Sequence, residues 1–96
     1  MLIVTGEFKI PPFGIIMFFE RNNEECNIMK EVAEELKKKR VKIIPINISK
    51  NEDMATYFGL STVPTFIAMK EGKEVDRLEG VVHPDKIEKI FKKCLG

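Results

Sequence analysis

Residues 57–66 read Tyr-Phe-Gly-Leu-Ser-Thr-Val-Pro-Thr-Phe, and this stretch decides the fold. Residues 51–58 are a predicted short helix, and Gly59 ends it, since glycine is the residue most often found just past a helix end. Pro64 then precedes a predicted strand at residues 65–69. The stretch therefore predicts a helix and a strand that are separated by a proline-containing loop.

The residues after this stretch predict a hairpin and a final helix. Glu71-Gly72 is a tight turn, and residues 74–78 form the second strand of the hairpin. Pro84 occupies the first turn of the final helix, residues 85–94, where a proline costs no hydrogen bond. Val75 and Leu78 are the main apolar residues of the strand, and Ile87, Ile90 and Phe91 form an apolar stripe on the helix.

The residues before the stretch predict a buried strand followed by an amphipathic helix. The run Ile15-Ile-Met-Phe-Phe19 is continuously apolar, which is typical of a strand buried on both faces. Asn22 or Asn23 caps the helix, and Glu24 and Glu25 fall in its first turn, where the helix dipole favours acidic residues. Apolar side chains recur at helical spacing, and we expect one buried face: Ile28, Met29, Val32, Ala33 and Leu36.

Two further segments complete the order of elements. Residues 41–48 are a predicted strand, and Pro45 within it indicates that one side of this strand is unpaired there, because proline cannot donate to a ladder. Residues 2–5 are a possible initial strand. The order β-α-β-α-β-β-α after it predicts an α/β fold, a mixed sheet with helices on both faces. Only residues 6–13, with two prolines, separate the first two apolar segments.

Composition narrows the class of protein. The 96 residues fit a single domain, 1–96, and the formal net charge of +1 argues against a nucleic-acid partner. No apolar run is long enough to span a bilayer, and the first residues lack the pattern of a signal peptide, so we expect a cytoplasmic protein without a membrane partner. Charged residues make up 32% of the chain, and this hints at a thermophilic source.

The cysteines and the histidine do not form a recognisable metal or cofactor motif. Cys26 and Cys94 lie too far apart in sequence for metal-ligand spacing, and His83 fits no zinc pattern with them. We therefore predict no metal site and no cofactor. His83, directly before Pro84, is expected to belong to the start of the final helix rather than to act as a base for Cys26.

From Ile15 onward the chain resembles thioredoxin. The residues that carry the resemblance are the segment 57–66, the hairpin 70–80 and the helix around Glu31-Val-Ala-Glu-Glu-Leu36. The resemblance covers more than four-fifths of the chain and implies a thioredoxin fold in which Pro64 is cis. The first helix of that family does not fit within residues 6–13, so we expect it to be absent or reduced and the first strand to be shortened or displaced.

The redox motif of the family is incomplete. Aligned without a gap, Trp-Cys-Gly-Pro-Cys of the family falls on Asn22-Asn-Glu-Glu-Cys26, so Asn23 takes the place of the attacking cysteine. Thiol–disulfide exchange in this family needs one thiolate to attack and a second to release the mixed disulfide. The buried acid of the family is replaced by Met17. The resemblance therefore implies that an ordinary dithiol cycle does not run within this chain.

Cys26 is open to two interpretations. It is either an inert, packed thiol or a functional one that forms mixed disulfides with a small thiol or a protein partner. A helix N-terminus lowers the pKa of a thiol, whereas the neighbouring Glu20, Glu24 and Glu25 oppose ionisation. The chain alone does not decide whether it is an enzyme.

The resemblance implies a groove for a partner segment beside Pro64. In the family, the motif loop, the proline loop and a glycine turn form this groove, and backbone groups beside the proline pair with an extended peptide. A protein or peptide partner is therefore expected, and three functions stay open: a binding or adaptor module, a monothiol redox protein acting through Cys26, and an assembly subunit. We call the following set the Pro64 groove: Asn22, Asn23, Glu24, Glu25, Cys26, Thr62, Val63, Pro64, Thr65, Gly80, Val81 and Val82.

Overall fold

The computed structural model describes residues 3–5 and 8–96. Its elements follow the predicted order, with one additional strand near the N-terminus and a short 3₁₀ helix at Ile48–Lys50 before the second helix. The elements are β1 (Ile3–Thr5), β2 (Phe8–Ile10), β3 (Gly14–Phe19), α1 (Glu24–Lys38), β4 (Ile43–Asn47), α2 (Glu52–Tyr57), β5 (Thr65–Lys70), β6 (Lys73–Glu79) and α3 (Pro84–Leu95).

Four strands form a mixed central sheet in the order β4-β3-β5-β6. β3 pairs with β4 in parallel and with β5 antiparallel, and its middle residue Met17 lies between Pro45 and Phe66. β5 and β6 form the predicted hairpin, and both Glu71 and Gly72 of its turn have positive φ, 52° and 79°. Two left-handed residues match the twist of a two-residue hairpin turn. The predicted mixed sheet is confirmed.

Helices cover both faces of this sheet, as predicted. On one face, Ile15 and Met17 of β3 pack in one cluster with α1 and α3, which contribute Met29, Leu36 and Ile87. On the other face, β3 contributes side chains to a second cluster with α2 and β2, whose members are Ile10, Ile16, Phe18, Met54, Phe58, Ile67 and Met69. β3 is therefore buried on both sides, which explains its uninterrupted apolar sequence.

β1 and β2 pair antiparallel and form a small two-stranded sheet. It is separate from the central sheet, and within residues 3–5 and 8–13 the structure has no helix. The predicted first strand began at Leu2, which lies outside the described residues, and β2 was not predicted. Ile10 of β2 is buried on the α2 face, and the backbone N–H of Gly72 donates to the Pro12 oxygen at 3.0 Å. Residues 10–12 are thus held both by the core and by the turn between β5 and β6.

β4 is an edge strand, and it is shorter than predicted. The Val41 N–H donates to the Leu36 oxygen at 3.1 Å, so Val41 belongs to the end of α1 rather than to the strand. The Ile15 N–H donates to the Lys42 oxygen at 2.9 Å, and backbone groups alternate in direction along a parallel strand. The backbone groups of Pro45 consequently face away from β3, where the missing N–H costs no hydrogen bond in the sheet.

Ile28, which was predicted to lie on the buried face of α1, is largely exposed, and so is Val75 of β6. Ile28 is 48% exposed and Val75 is 41% exposed. Ile28 directly precedes the buried Met29, and neighbouring helical positions point in different directions, so only one of the two reaches the core. β6 is the other edge strand of the central sheet, and its first three residues, Lys73, Glu74 and Val75, are exposed.

Candidate functional site

The N-terminus of α1 is built by Asn23. Its side-chain oxygen accepts a hydrogen bond from the Cys26 backbone N–H at 2.8 Å, and its backbone oxygen accepts one from the Asn27 N–H at 2.9 Å. Glu24 and Glu25 occupy the first turn and are exposed, as the dipole of the helix favours. Asn22 has a φ of 58° and turns the chain from β3 into the helix. Asn23 is therefore the helix cap, one of the two alternatives predicted.

The loop before β5 is held by two hydrogen bonds. The Thr65 hydroxyl donates to the Thr62 backbone oxygen at 2.7 Å, and the Gly80 N–H donates to the Pro64 oxygen at 2.8 Å. The Val63–Pro64 peptide bond is cis, and both Pro64 and Thr65 are buried. These contacts fix the loop 62–65 against the turn at Gly80, so two of the three segments of the Pro64 groove are joined directly.

A surface cavity of about 360 Å³ joins the helix cap to the Pro64 loop. Asn23, Thr62 and Val63 line it, and Val81 beside Gly80 is 52% exposed. Val82 is half-buried and packs against the core, whereas Glu24 and Glu25 are exposed. Asn22 lines a different cavity. Sequence reasoning missed five other residues that line the 360 Å³ cavity: Glu20, Ile48, Ala55, Leu60 and Ser61. They lie just after β3, in the 3₁₀ helix, in α2 and in the loop that follows α2, so no local pattern marks them.

Cys26 lies outside this cavity and is 2% exposed. Burial raises the pKa of its thiol, and the charges of Glu20 and Glu25 act in the same direction. Hydrogen bonding with the Glu20 backbone opposes these effects, but the net direction is upward. A thiol with a raised pKa is protonated at neutral pH and is a weak nucleophile.

Cys26 instead lines a second cavity, of about 370 Å³, between α1 and the edge strand β4. Met17, which the resemblance predicts to replace the buried acid of the family, lines it as well and is 2% exposed. Phe19, Ala33, Ile43 and Pro45 complete its apolar part. An ionised carboxyl at position 17 would be costly among these side chains, whereas methionine fits them. We call this space the α1–β4 cavity.

The two cysteines are both free and both buried. The Cys94 sulfur is 3.7 Å from the Gly14 oxygen, at the start of β3, whereas Cys26 follows the end of that strand. β3 has six residues and spans about 16 Å, far more than the Cα separation of a disulfide. The chain therefore holds no pair of thiols that could exchange a disulfide with each other.

His83 serves as the cap of α3. Its Nδ1 accepts a hydrogen bond from the Asp85 backbone N–H at 3.1 Å, in agreement with the predicted place at the helix start. Among the residues that the structure describes, no cluster of three His, Cys, Asp or Glu side chains is arranged to bind a metal ion. Within that same part of the chain, no helix combines the length and apolar character needed to cross a bilayer.

Comparisons with known proteins agree with this architecture. The family model described as Thioredoxin matches residues 8–93. Thioredoxin of Chlamydia caviae is 33% identical over 79 residues, which cover 80% of this chain and 78% of that protein. Mitochondrial thioredoxin of Bos taurus is 35% identical over 57 residues, 59% of this chain, although the match spans only 34% of the bovine protein.

A solved structure gives the same result in three dimensions. The X-ray structure of Fasciola hepatica thioredoxin superimposes with a TM-score of 0.74 at 27% identity and covers 82% of this chain and 77% of that one. The predicted thioredoxin fold is thus confirmed. Since the family model spans nearly the whole chain, from β2 to the last turn of α3, the chain belongs to the thioredoxin family.

Proposed function

We propose that this chain is a binding or adaptor module that takes an extended segment of a partner protein into the Pro64 groove and does not carry out dithiol exchange. The observation that carries the proposal is the hydrogen bond from the Cys26 N–H to the Asn23 side chain. Asn23, which the resemblance places in the attacking position, caps the N-terminus of α1 instead of supplying a thiol. The groove beside it does not depend on that thiol.

The groups at the groove suit an extended peptide. Val63 precedes β5, so its backbone groups lie outside the ladder between β5 and β6. Such groups can pair with the main chain of a partner, which gives affinity that depends little on the partner's sequence. The half-exposed Val81 supplies an apolar contact on one side of the groove, and Thr62 is exposed on the other side. Together these features support a peptide as the occupant.

A monothiol redox protein is the alternative function. It requires Cys26 to reach a disulfide or a small thiol as a thiolate. The 2% exposure of Cys26 and its raised pKa both weigh against this function, since attack needs access and ionisation. The adaptor function needs neither.

A peptide-binding experiment tests the proposal. A random peptide library is selected on the immobilised protein, and the affinity of the selected peptides is measured by fluorescence anisotropy with Thr62→Arg and Val81→Lys variants. We expect each change to weaken binding about fivefold or more, since Thr62→Arg puts a large charged side chain into the cavity and Val81→Lys puts a charge into the apolar contact. Thr56→Arg and Val75→Lys alter similarly exposed residues away from the groove and should leave the affinity unchanged.

Two results would contradict the proposal. The first is a set of peptides whose affinity is the same for the groove variants and for the control variants. The second is an acceleration of insulin reduction by dithiothreitol in the presence of the wild-type chain. If Cys26→Ser abolishes this acceleration and Cys94→Ser leaves it intact, the monothiol function is established. We expect no acceleration by the wild-type chain.

A further inference from the structure

The α1–β4 cavity is a second, separate concavity. Its volume of about 370 Å³ is within the range of small-molecule sites, and its lining is mainly apolar. The floor is formed by Met17 of β3, Ala33 of α1 and Ile43 of β4, all of which are buried. The cavity lies at the β4 end of the central sheet, where no further strand follows among the described residues.

The wall formed by β4 disfavours an added strand as the occupant. The backbone groups of Pro45 face outward, and proline has no N–H to offer to a neighbouring chain. The Asn47 backbone oxygen, farther along the strand, already accepts a hydrogen bond from the Asn51 side chain at 2.9 Å. An incoming strand would therefore find few partners, whereas an apolar molecule can contact the exposed Pro45 ring.

Charges around the rim complement an acidic group. The lining contains three basic residues, Arg21, Lys30 and Lys37, and two acidic residues, Glu20 and Glu34. Its formal charge is therefore +1. Lys37 and Glu34 form an ion pair at 3.2 Å and so neutralise each other. Within residues 8–96, neither Arg21 nor Lys30 makes an ion pair with a carboxylate. Two cations beside an apolar floor suit a molecule with one acidic headgroup.

We propose that the α1–β4 cavity binds a small amphipathic anion, with its apolar body on Met17, Ala33 and Ile43 and its acidic group between Arg21 and Lys30. This site is distinct from the cavity beside Pro64, because the two linings share only Glu20. Asn22 and Cys26, which the sequence grouped with the Pro64 groove, line the α1–β4 cavity instead. Cys26 contributes an apolar surface to the site and takes no chemical part in binding.

Octanoate is the probe for this proposal, and NMR titration of the wild-type chain is the measurement. We expect saturable shifts of the Ala33 and Ile43 methyl signals, with the Ile67 methyl on the other face and the Thr62 amide unchanged. Octanol, which lacks the charge, should bind about tenfold more weakly, and inorganic phosphate, which lacks the apolar body, should produce no saturable shift. Unchanged Thr62 signals separate this result from occupation of the Pro64 groove.

Matched lysine variants identify the headgroup contact. Lys30→Met keeps the apolar stem and removes the charge, so it should weaken octanoate binding about tenfold. Lys38→Met changes an exposed lysine of the same helix that does not line the cavity, and its affinity should equal that of the wild type. The proposal is overturned by absence of saturable shifts at Ala33 and Ile43, by equal affinity for octanol and octanoate, or by equal effects of the two lysine variants.

Discussion

The side-chain oxygen of Asn23 lies 2.8 Å from the backbone nitrogen of Cys26. The contact is a helix cap. The two residues for which the resemblance predicts the attacking and resolving positions of the motif together define where α1 begins.

Restoring the first cysteine should restore the chemistry. Asn23→Cys creates Cys-x-x-Cys at the start of α1, which is the spacing that disulfide exchange in this fold uses. We expect this variant to form an internal disulfide on oxidation and to accelerate insulin reduction by dithiothreitol. The double variant Asn23→Cys, Cys26→Ser lacks the resolving thiol and should be inactive. If the single variant stays reduced and inactive, the alignment of Asn23 with the attacking position is wrong.

Removing the cap should destabilise the chain. Asn23→Ala loses the acceptor for the Cys26 N–H and is expected to lower the free energy of unfolding by about 1 kcal/mol. Urea denaturation followed by circular dichroism measures the difference. Asn27→Ala removes an exposed asparagine from the same turn and should change stability by less than about 0.5 kcal/mol. Equal effects of the two variants would show that the cap contributes nothing.

Arg77 connects β6 to the end of α2. Its Nη2 donates to the Phe58 backbone oxygen at 2.8 Å, and its guanidinium also donates to both Glu74 carboxylate oxygens, at 2.6 and 2.7 Å. We expect Arg77→Met to lower the free energy of unfolding by about 1–2 kcal/mol, because a helix-end carbonyl loses its donor. Lys73→Met, on an exposed residue of the same strand, is the control and should be close to neutral.

The Asp76–Lys93 pair should make stability depend on acidity. The hydrogen bond from Lys93 holds the pKa of Asp76 below its usual range, with Asp76 Oδ2 2.5 Å from Lys93 Nζ. Since the folded-state pKa is lowered, the contribution of the pair is present above the ordinary carboxyl pKa, about 3.9, and is lost as the pH falls through the folded pKa.

Asp76→Asn should therefore cost about 0.5–1 kcal/mol at pH 7, and this difference from the wild type should shrink as the pH falls below about 4. Urea denaturation at several pH values measures it. Glu35→Gln, which breaks the more exposed Glu35–Lys38 pair, should cost less at every pH. A difference that stays constant down to pH 2 would contradict the assignment.

The buried thiol should react slowly. In a Cys94→Ala background, Cys26 at neutral pH is expected to react with a thiol reagent about tenfold or more slowly than a free cysteine peptide, because it is buried and its pKa is raised. An exposed thiol, made by Thr56→Cys in a chain without Cys26 and Cys94, should react at the peptide rate. Labelling of Cys26 as fast as the peptide would instead support the monothiol function.

Local chemistry determined the parts of the fold that were predicted correctly. Gly59, Pro64 and the Glu71–Gly72 turn each impose a backbone geometry that few other residues permit, so the elements between them could be placed from sequence. The Pro11-Pro12 pair, by contrast, led to an incorrect prediction for the residues before it. It indicated an irregular segment, yet β2 ends just before it, at Ile10, and pairs with β1.

The site was less predictable because it depends on which elements become neighbours. Asn23 and Thr62 could be grouped through the resemblance to thioredoxin, but Leu60 and Ser61 have no pattern of their own. Cys26, which the sequence grouped with the groove, lines the space between α1 and β4. That space lies at the β4 end of the sheet, where no further described strand follows, which is a property of the sheet and not of the residues around Cys26.

The shared burial of Ile15 from β3 and Ile87 from α3 has a consequence for biosynthesis. Both are fully buried in one cluster, although 72 positions separate them in the sequence (87 minus 15). While the ribosome is still making β5 and β6, one face of the sheet has α1 but lacks α3, and its apolar side chains stay open to other chains. We therefore expect this face of the sheet to stay exposed to misassociation until Ile87 and Ile90 have left the ribosome and α3 can pack on it.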